Sequence, residues 1–152
     1  MKNKVFLVDH HLAHAASSVL MSKFSDCNYV TIDGFGDFLS TTIGKFSEQK
    51  FNTIQDVKFP HSLGLFYTAI TQFLGFKKYG DEYKVMGLSS YGKPIYVDKI
   101  NKLVKFDNKN LFRLNLDYFK HHNEGVEMSW LDGEPKLGDV FSDKLIDLLG
   151  HP

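Results

Sequence analysis

Asn28-Tyr29-Val30-Thr31-Ile32-Asp33-Gly34-Phe35-Gly36-Asp37 is the stretch on which the fold of this chain turns. From Asn28 to Asp33 it is β-branched and aromatic, the composition of a strand. It runs into two glycines and an aspartate, which read as a turn closing a hairpin. Phe38 to Gly44 then reads as a second strand and Phe51 to Phe59 as a third. Short strands joined by tight turns predict an antiparallel meander. Upstream, Val5 to Val8 is an apolar run too brief for a helix and suited to a buried strand. His10 to Leu20 is rich in alanine and free of Gly and Pro, so it predicts a helix with Asp9 as N-cap.

Downstream the periodicity changes. Across Ser62 to Leu74, the residues Leu63, Phe66, Tyr67, Ile70, Phe73 and Leu74 recur at helical spacing and predict one apolar face. Ser62 is placed to cap that helix, and Gly75 to end it. Gly80 to Gly92 shows no clean periodicity. From Pro94 to about Lys136 the chain is more polar, with one alternating strand over Leu111 to Leu116 and a last helix over Val140 to Leu149. The one composition shift suggestive of a boundary lies near Pro94.

Composition narrows the function classes. The chain has 152 residues, with 18 basic and 18 acidic side chains, seven histidines and one cysteine. One domain is the default at this length, and 43% apolar residues are enough to build a core. Zero formal charge argues against nucleic acid or an anionic lipid surface as partner. No apolar run reaches the length of a membrane span, and the four apolar residues after Lys4 are too few for a signal peptide. The lone Cys27 excludes a disulfide framework and reads as a small buried hydrophobe, which makes a reducing, cytoplasmic setting the simplest. Phosphate-loop, nucleophile-elbow and Cys-x-x-Cys motifs are all missing.

The residues that stand out are His10, His11 and His14. On a helix, His10 and His14 sit four apart and project from one face within reach of one ion; His11 and His14, three apart, are a second possible pair. The plain alternative is that one of them packs and the others are solvated. Asp33, at the end of a strand, adds a carboxylate, and two imidazoles with one carboxylate leave coordination positions open. Gly34 and Gly36 would let backbone approach a phosphate or carbonyl closely, although an ordinary hairpin turn explains them as well. Lys84, in Glu82-Tyr83-Lys84 before Met86-Gly87-Leu88, could hold an anion as a point charge or pair with a surface carboxylate. His121-His122 reads as surface.

Four motifs occur in order: Asp9-His10-His11-Leu12-Ala13-His14-Ala15-Ala16-Ser17-Ser18, Thr31-Ile32-Asp33-Gly34-Phe35-Gly36-Asp37, Pro60-His61-Ser62-Leu63-Gly64-Leu65-Phe66-Tyr67 and Glu82-Tyr83-Lys84-Val85-Met86-Gly87-Leu88. Together they resemble the O-carbamoyltransferases of the nodulation and antibiotic-tailoring type, and the likeness continues through Met128-Ser129-Trp130 and Gly138-Asp139-Val140-Phe141-Ser142. The resemblance implies an α/β fold: part of an actin-like ATPase (ribonuclease H-like) domain, a mixed sheet with flanking helices, akin to the tRNA threonylcarbamoyl synthase. It also implies transfer of a carbamoyl group from carbamoyl-adenylate, made from carbamoyl phosphate and ATP, to a hydroxyl of a sugar or secondary metabolite.

The same resemblance assigns residues. It implies a divalent metal, iron, held by His10, His14 and Asp33, and so chooses His10 over His11. Asp33, Asp37 and Lys84 become the candidate catalytic residues, and Gly34 and Gly36 the candidate cofactor-binding ones. It further implies that residues 1–152 are an internal segment of the N-terminal domain. The opening strands, a further metal aspartate, the main ATP loops and the carbamoyl-adenylate-forming domain would lie elsewhere, on separate chains if the enzyme is split. The alternative is a truncated, non-catalytic metal-binding or interaction module of the same descent.

Overall fold

A computed structural model describes residues 4–131 and 133–151. The chain divides into two compact units, Met1–Ser62 and Leu63–Pro152. The division falls at the start of the best-patterned helix, not near Pro94, where composition suggested it.

The first unit is a helix on a three-stranded sheet. Helix α1, His10–Val19, starts where Asp9 accepts a hydrogen bond from the Leu12 backbone N–H at 2.8 Å, a side-chain N-cap. Strands β1 (Cys27–Gly36), β2 (Leu39–Ser47) and β3 (Lys50–Lys58) follow in sheet order β1-β2-β3. Both pairings are antiparallel, as the meander reading expects. Their turns are two residues long, and all four turn residues have positive φ: Asp37 51°, Phe38 64°, Glu48 50° and Gln49 61°. That backbone matches the twist of hairpin strands. The Gly34-Phe35-Gly36 segment is not itself the turn; β1 continues through it.

The core of this unit lies between α1 and the sheet. His11, Ala15 and Val19, four residues apart, form the buried face of α1. Ala15 and Val19 pack with Tyr29 and Phe46, and Cys27 and Phe51 lie partly buried against them. Gly44, opposite Tyr29 across the strands, has no side chain because the Tyr29 ring occupies that space. Cys27 is thus at the margin of the core, not inside it. Val5 to Val8 form no strand; these four residues are between 63% and 97% exposed, since among the described residues no strand pairs with them.

The second unit opens with α2, Leu63–Phe73, followed by α3 (Glu82–Ser89) and the short α4 (Val97–Ile100). Two antiparallel hairpins, β4-β5 (Val104–Asp107, Leu111–Leu114) and β6-β7 (Met128–Leu131, Glu134–Leu137), the short α5 (His121–Glu124) and α6 (Asp143–Leu149) complete it. The buried side chains of α2 are Leu65, Ala69, Thr71, Gln72 and Phe73, so its inward face is rotated from the predicted one, and Tyr67 and Leu74 are exposed. Gln72 explains part of the rotation. Its amide donates to Gly138 O at 3.0 Å and accepts from Val140 N at 2.8 Å, satisfying two backbone groups that a leucine would leave orphaned. Leu103, Phe112, Leu114, Phe119, Val140 and Leu145 supply the apolar core. His121, expected at the surface, is fully buried with its ring 5.8 Å from that of Phe119.

Every pairing among the described strands is antiparallel, in place of the expected mixed sheet. Connections of two or three residues permit nothing else, because a parallel neighbour needs a crossover of a dozen or more residues. Among the described residues no helix is long and apolar enough to cross a membrane.

Candidate metal centre

The first turn of α1 and the end of β1 meet at three side chains. His10 opens the helix, and its backbone N–H donates to Asp37 Oδ2 at 2.9 Å. His14 lies one turn later on the same face. The His10 and His14 rings stand edge to face with centroids 4.6 Å apart, and their Nε2 atoms are 3.0 Å apart. Asp33 Oδ2 lies 2.6 Å from His10 Nε2 and 3.4 Å from His14 Nε2. One ligand atom from each of the three falls within 4.8 Å of the other two.

Asp33 reaches this position through an irregularity in β1. The register runs Ile32 to Thr41 and resumes at Gly36 to Leu39, so Asp33, Gly34 and Phe35 together face the single residue Ser40. Such a bulge kinks the strand and re-aims a side chain. Three hydrogen bonds hold it. The Gly34 N–H donates to Asp33 Oδ1 at 2.6 Å, and the Ser62 hydroxyl donates to Gly34 O at 2.7 Å and to Asp33 O at 3.2 Å. Ser62 therefore fastens the loop of a prospective ligand, a role the sequence pattern hides behind an ordinary helix-cap signal.

Gly36 serves the same geometry. A Cβ placed on it would fall inside the His10 ring, so only glycine lets the imidazole lie against the strand. Gly34 differs: a Cβ there would meet nothing within 4 Å. Its lack of a side chain leaves open space beside Asp33.

The electrostatics favour an ionised ligand. Partial burial pushes the Asp33 carboxyl up, but hydrogen bonds from His10, the Gly34 N–H and His14, with the charge of His10, outweigh it and hold the carboxyl below its ordinary range. Two imidazole nitrogens and a carboxylate oxygen suit a first-row divalent ion and leave positions open for other ligands. The donor set therefore fits a metal.

The remaining candidates separate. His11 does not join the cluster: it is 2% exposed, and its Nδ1 is 2.7 Å from Thr31 Oγ1. Asp37 is exposed beside His10. Lys84 belongs to the second unit, where its Nζ pairs with Asp81 Oδ1 at 2.6 Å. The hydrogen bond that it donates to Asp81 keeps the lysine above its ordinary pKa, so it remains an ammonium.

Comparison with known proteins gives these residues a setting. The chain is 40% identical over 134 residues to an uncharacterized protein of Synechocystis sp., covering 88% of this chain and 21% of that one. It is 35% identical over 116 residues to Nodulation protein NolNO of Sinorhizobium fredii, covering 76% and 17%. With Nodulation protein NolO of Bradyrhizobium diazoefficiens the identity is 39% over 115 residues, covering 72% and 20%. The chain thus spans about a fifth of the length of these curated relatives. Residues 1–143 match the family described as Carbamoyltransferase N-terminus, which takes in α1, the meander and nearly all of the second unit. The chain belongs to the carbamoyltransferase N-terminus family.

Proposed function

We propose that this chain carries the metal-holding part of an O-carbamoyltransferase, with His10, His14 and Asp33 as ligands of a divalent ion, iron by family resemblance. The observation that carries the reading is the convergence of those three donor atoms within 4.8 Å, in a chain whose family is that of carbamoyltransferases. When bound, the ion supplies Lewis-acid polarisation of an oxygen of the donor or the acceptor.

The reaction proposed is transfer from carbamoyl-adenylate to a hydroxyl of a sugar or secondary metabolite. The acceptor oxygen forms a bond to the carbamoyl carbon, the bond from that carbon to the adenylate phosphate oxygen breaks, and AMP leaves with the electron pair. Asp37 takes the hydroxyl proton. It is the better base of the two aspartates because Asp33 already uses Oδ2 toward both histidines and Oδ1 toward the Gly34 N–H. Lys84, held cationic by Asp81 within the second unit, is the side chain there that is proposed to pair with an anionic group. Gly34, with open space in front of it, lets substrate approach the Asp33 backbone. ATP is the source of the adenylate, and a cytoplasmic setting follows the lone cysteine.

A second reading is a non-catalytic metal-binding or interaction module, which needs only the three donors that the first unit itself brings together. One assay separates the two. The chain is loaded anaerobically with Fe²⁺ and incubated with preformed carbamoyl-adenylate and a panel of hydroxylated sugars. Release of AMP with formation of a carbamate ester, both lost in Asp37→Asn, supports the transferase. Stoichiometric metal without turnover supports the module, and no bound metal overturns both.

A further inference from the structure

The carbamoyl chemistry leaves His11 unused, although it is among the most buried polar side chains of the first unit. A cavity of about 300 Å³ lies beside it, with Asp9, His11, Tyr29, Thr42, Thr53 and Asp56 as its polar lining. His11 and Thr42 are 2% and 4% exposed. Thr31 engages His11 Nδ1, and among the described residues nothing meets His11 Nε2 or Thr42 Oγ1. Buried polar atoms are nearly always satisfied, so two orphans lining one cavity point to a ligand that supplies their partners.

The lining also fixes the ligand's charge. Its ionised groups are the carboxylates of Asp9 and Asp56, and it includes neither lysine nor arginine. A concave, partly apolar wall bearing one sign of charge concentrates ions of the other sign. A bare metal ion does not match: among the described residues only His10, His14 and Asp33 bring three donor atoms of this kind within 4.8 Å, and Asp9, His11 and Asp56 do not. The occupant has to be polyatomic, with a cationic head for the carboxylates and a second polar group for His11 and Thr42.

We propose that this cavity binds a small organic ammonium bearing a hydroxyl, its ammonium toward Asp56 and Asp9 and its hydroxyl toward His11 Nε2 and Thr42 Oγ1. The site does not depend on the metal reading, because His11 occupies a different face of α1 from His10 and His14.

The test is a titration of the ¹⁵N-labelled chain at constant ionic strength, followed by amide chemical shifts. Ethanolamine is the probe, and glycolate, with a carboxylate in place of the ammonium, is the control. Ethanolamine is expected to give saturable shifts at residues 9–12, 42 and 53–56, with glycolate at least about tenfold weaker. Asp56→Asn is expected to weaken ethanolamine by about tenfold or more, while His10→Ala, which removes a proposed metal ligand, leaves it unchanged. Thr42→Val provides a second variant: it weakens ethanolamine but not methylammonium, which lacks the hydroxyl. Shifts that stay linear to about 50 mM, a weaker affinity than any built site would show, overturn the proposal. So does an equal response to glycolate, or wild-type ethanolamine binding in both Asp56→Asn and Thr42→Val.

Discussion

The His10 imidazole lies against the backbone of Gly36, in the space that any side chain at position 36 would fill. The ring's orientation toward Asp33 and His14 is therefore set by a residue with no functional group of its own. The geometry of the cluster depends on a steric permission as much as on the three donors.

Gly36→Ala should expel the His10 ring and weaken divalent-metal binding by about tenfold or more, the cost of mis-orienting one ligand. Calorimetric titration with Zn²⁺ as a redox-inert probe reads the change. Gly34→Ala, where a Cβ meets nothing within 4 Å, should leave affinity within about twofold.

Thr31→Val removes the partner of a buried imidazole nitrogen and should cost about 1–3 kcal/mol in urea unfolding. His14→Ala, whose side chain is 52% exposed, should change stability by less than about 0.5 kcal/mol. A structural histidine and a ligand histidine three residues apart are thus told apart by stability alone.

Replacing Glu48-Gln49 by Asn-Gly should stabilise the first unit by about 1 kcal/mol, because both positions require positive φ. The thermal midpoint of the double variant should rise by a few degrees. An unchanged midpoint would show that this turn carries no backbone strain.

The Asp81–Lys84 pair gives the second unit a pH signature. The hydrogen bond from Lys84 holds the Asp81 carboxyl below its ordinary value of 3.8. Its contribution to stability is therefore present above pH 3.8 and lost as pH falls through the lower folded value. Lys84 is raised above 10.5, so its contribution is present below that pH and lost as pH rises through the folded value. Asp81→Asn should lower the midpoint between these limits, and the difference from wild type should vanish in acid.

Much of this was legible in the sequence where side-chain chemistry and periodicity agree. The meander, the N-cap at Asp9 and the helical spacing of His10 and His14 followed from composition and offset alone. The division at Ser62 did not, because Pro60 and Ser62 beside it read equally well as the ordinary start signals of a helix. The turns at Asp37-Phe38 and Glu48-Gln49 lack a signal as well, since neither contains glycine, and Gly34 and Gly36 imitate one nearby. Gly34 instead lies inside a bulge and Gly36 follows it, an arrangement whose purpose appears only when Asp33 and the His10 ring are seen together. The inward face of α2 departs from the apolar spacing because Gln72 is buried for its hydrogen bonds, which hydrophobic patterning does not count. His121 departs from its polar surroundings for a similar reason: its ring packs on Phe119 inside a polar stretch.

The central claim is that His10, His14 and Asp33 hold one divalent ion. Anaerobic purification of the full chain followed by metal analysis and Fe²⁺ titration tests it directly, with His10→Ala, His14→Ala, Asp33→Asn and Thr31→Val in parallel. The expected result is close to one ion per chain in wild type and Thr31→Val, with loss in each of the other three. Wild-type protein that takes up no stoichiometric ion, or ligand variants that bind as tightly as wild type, would contradict it.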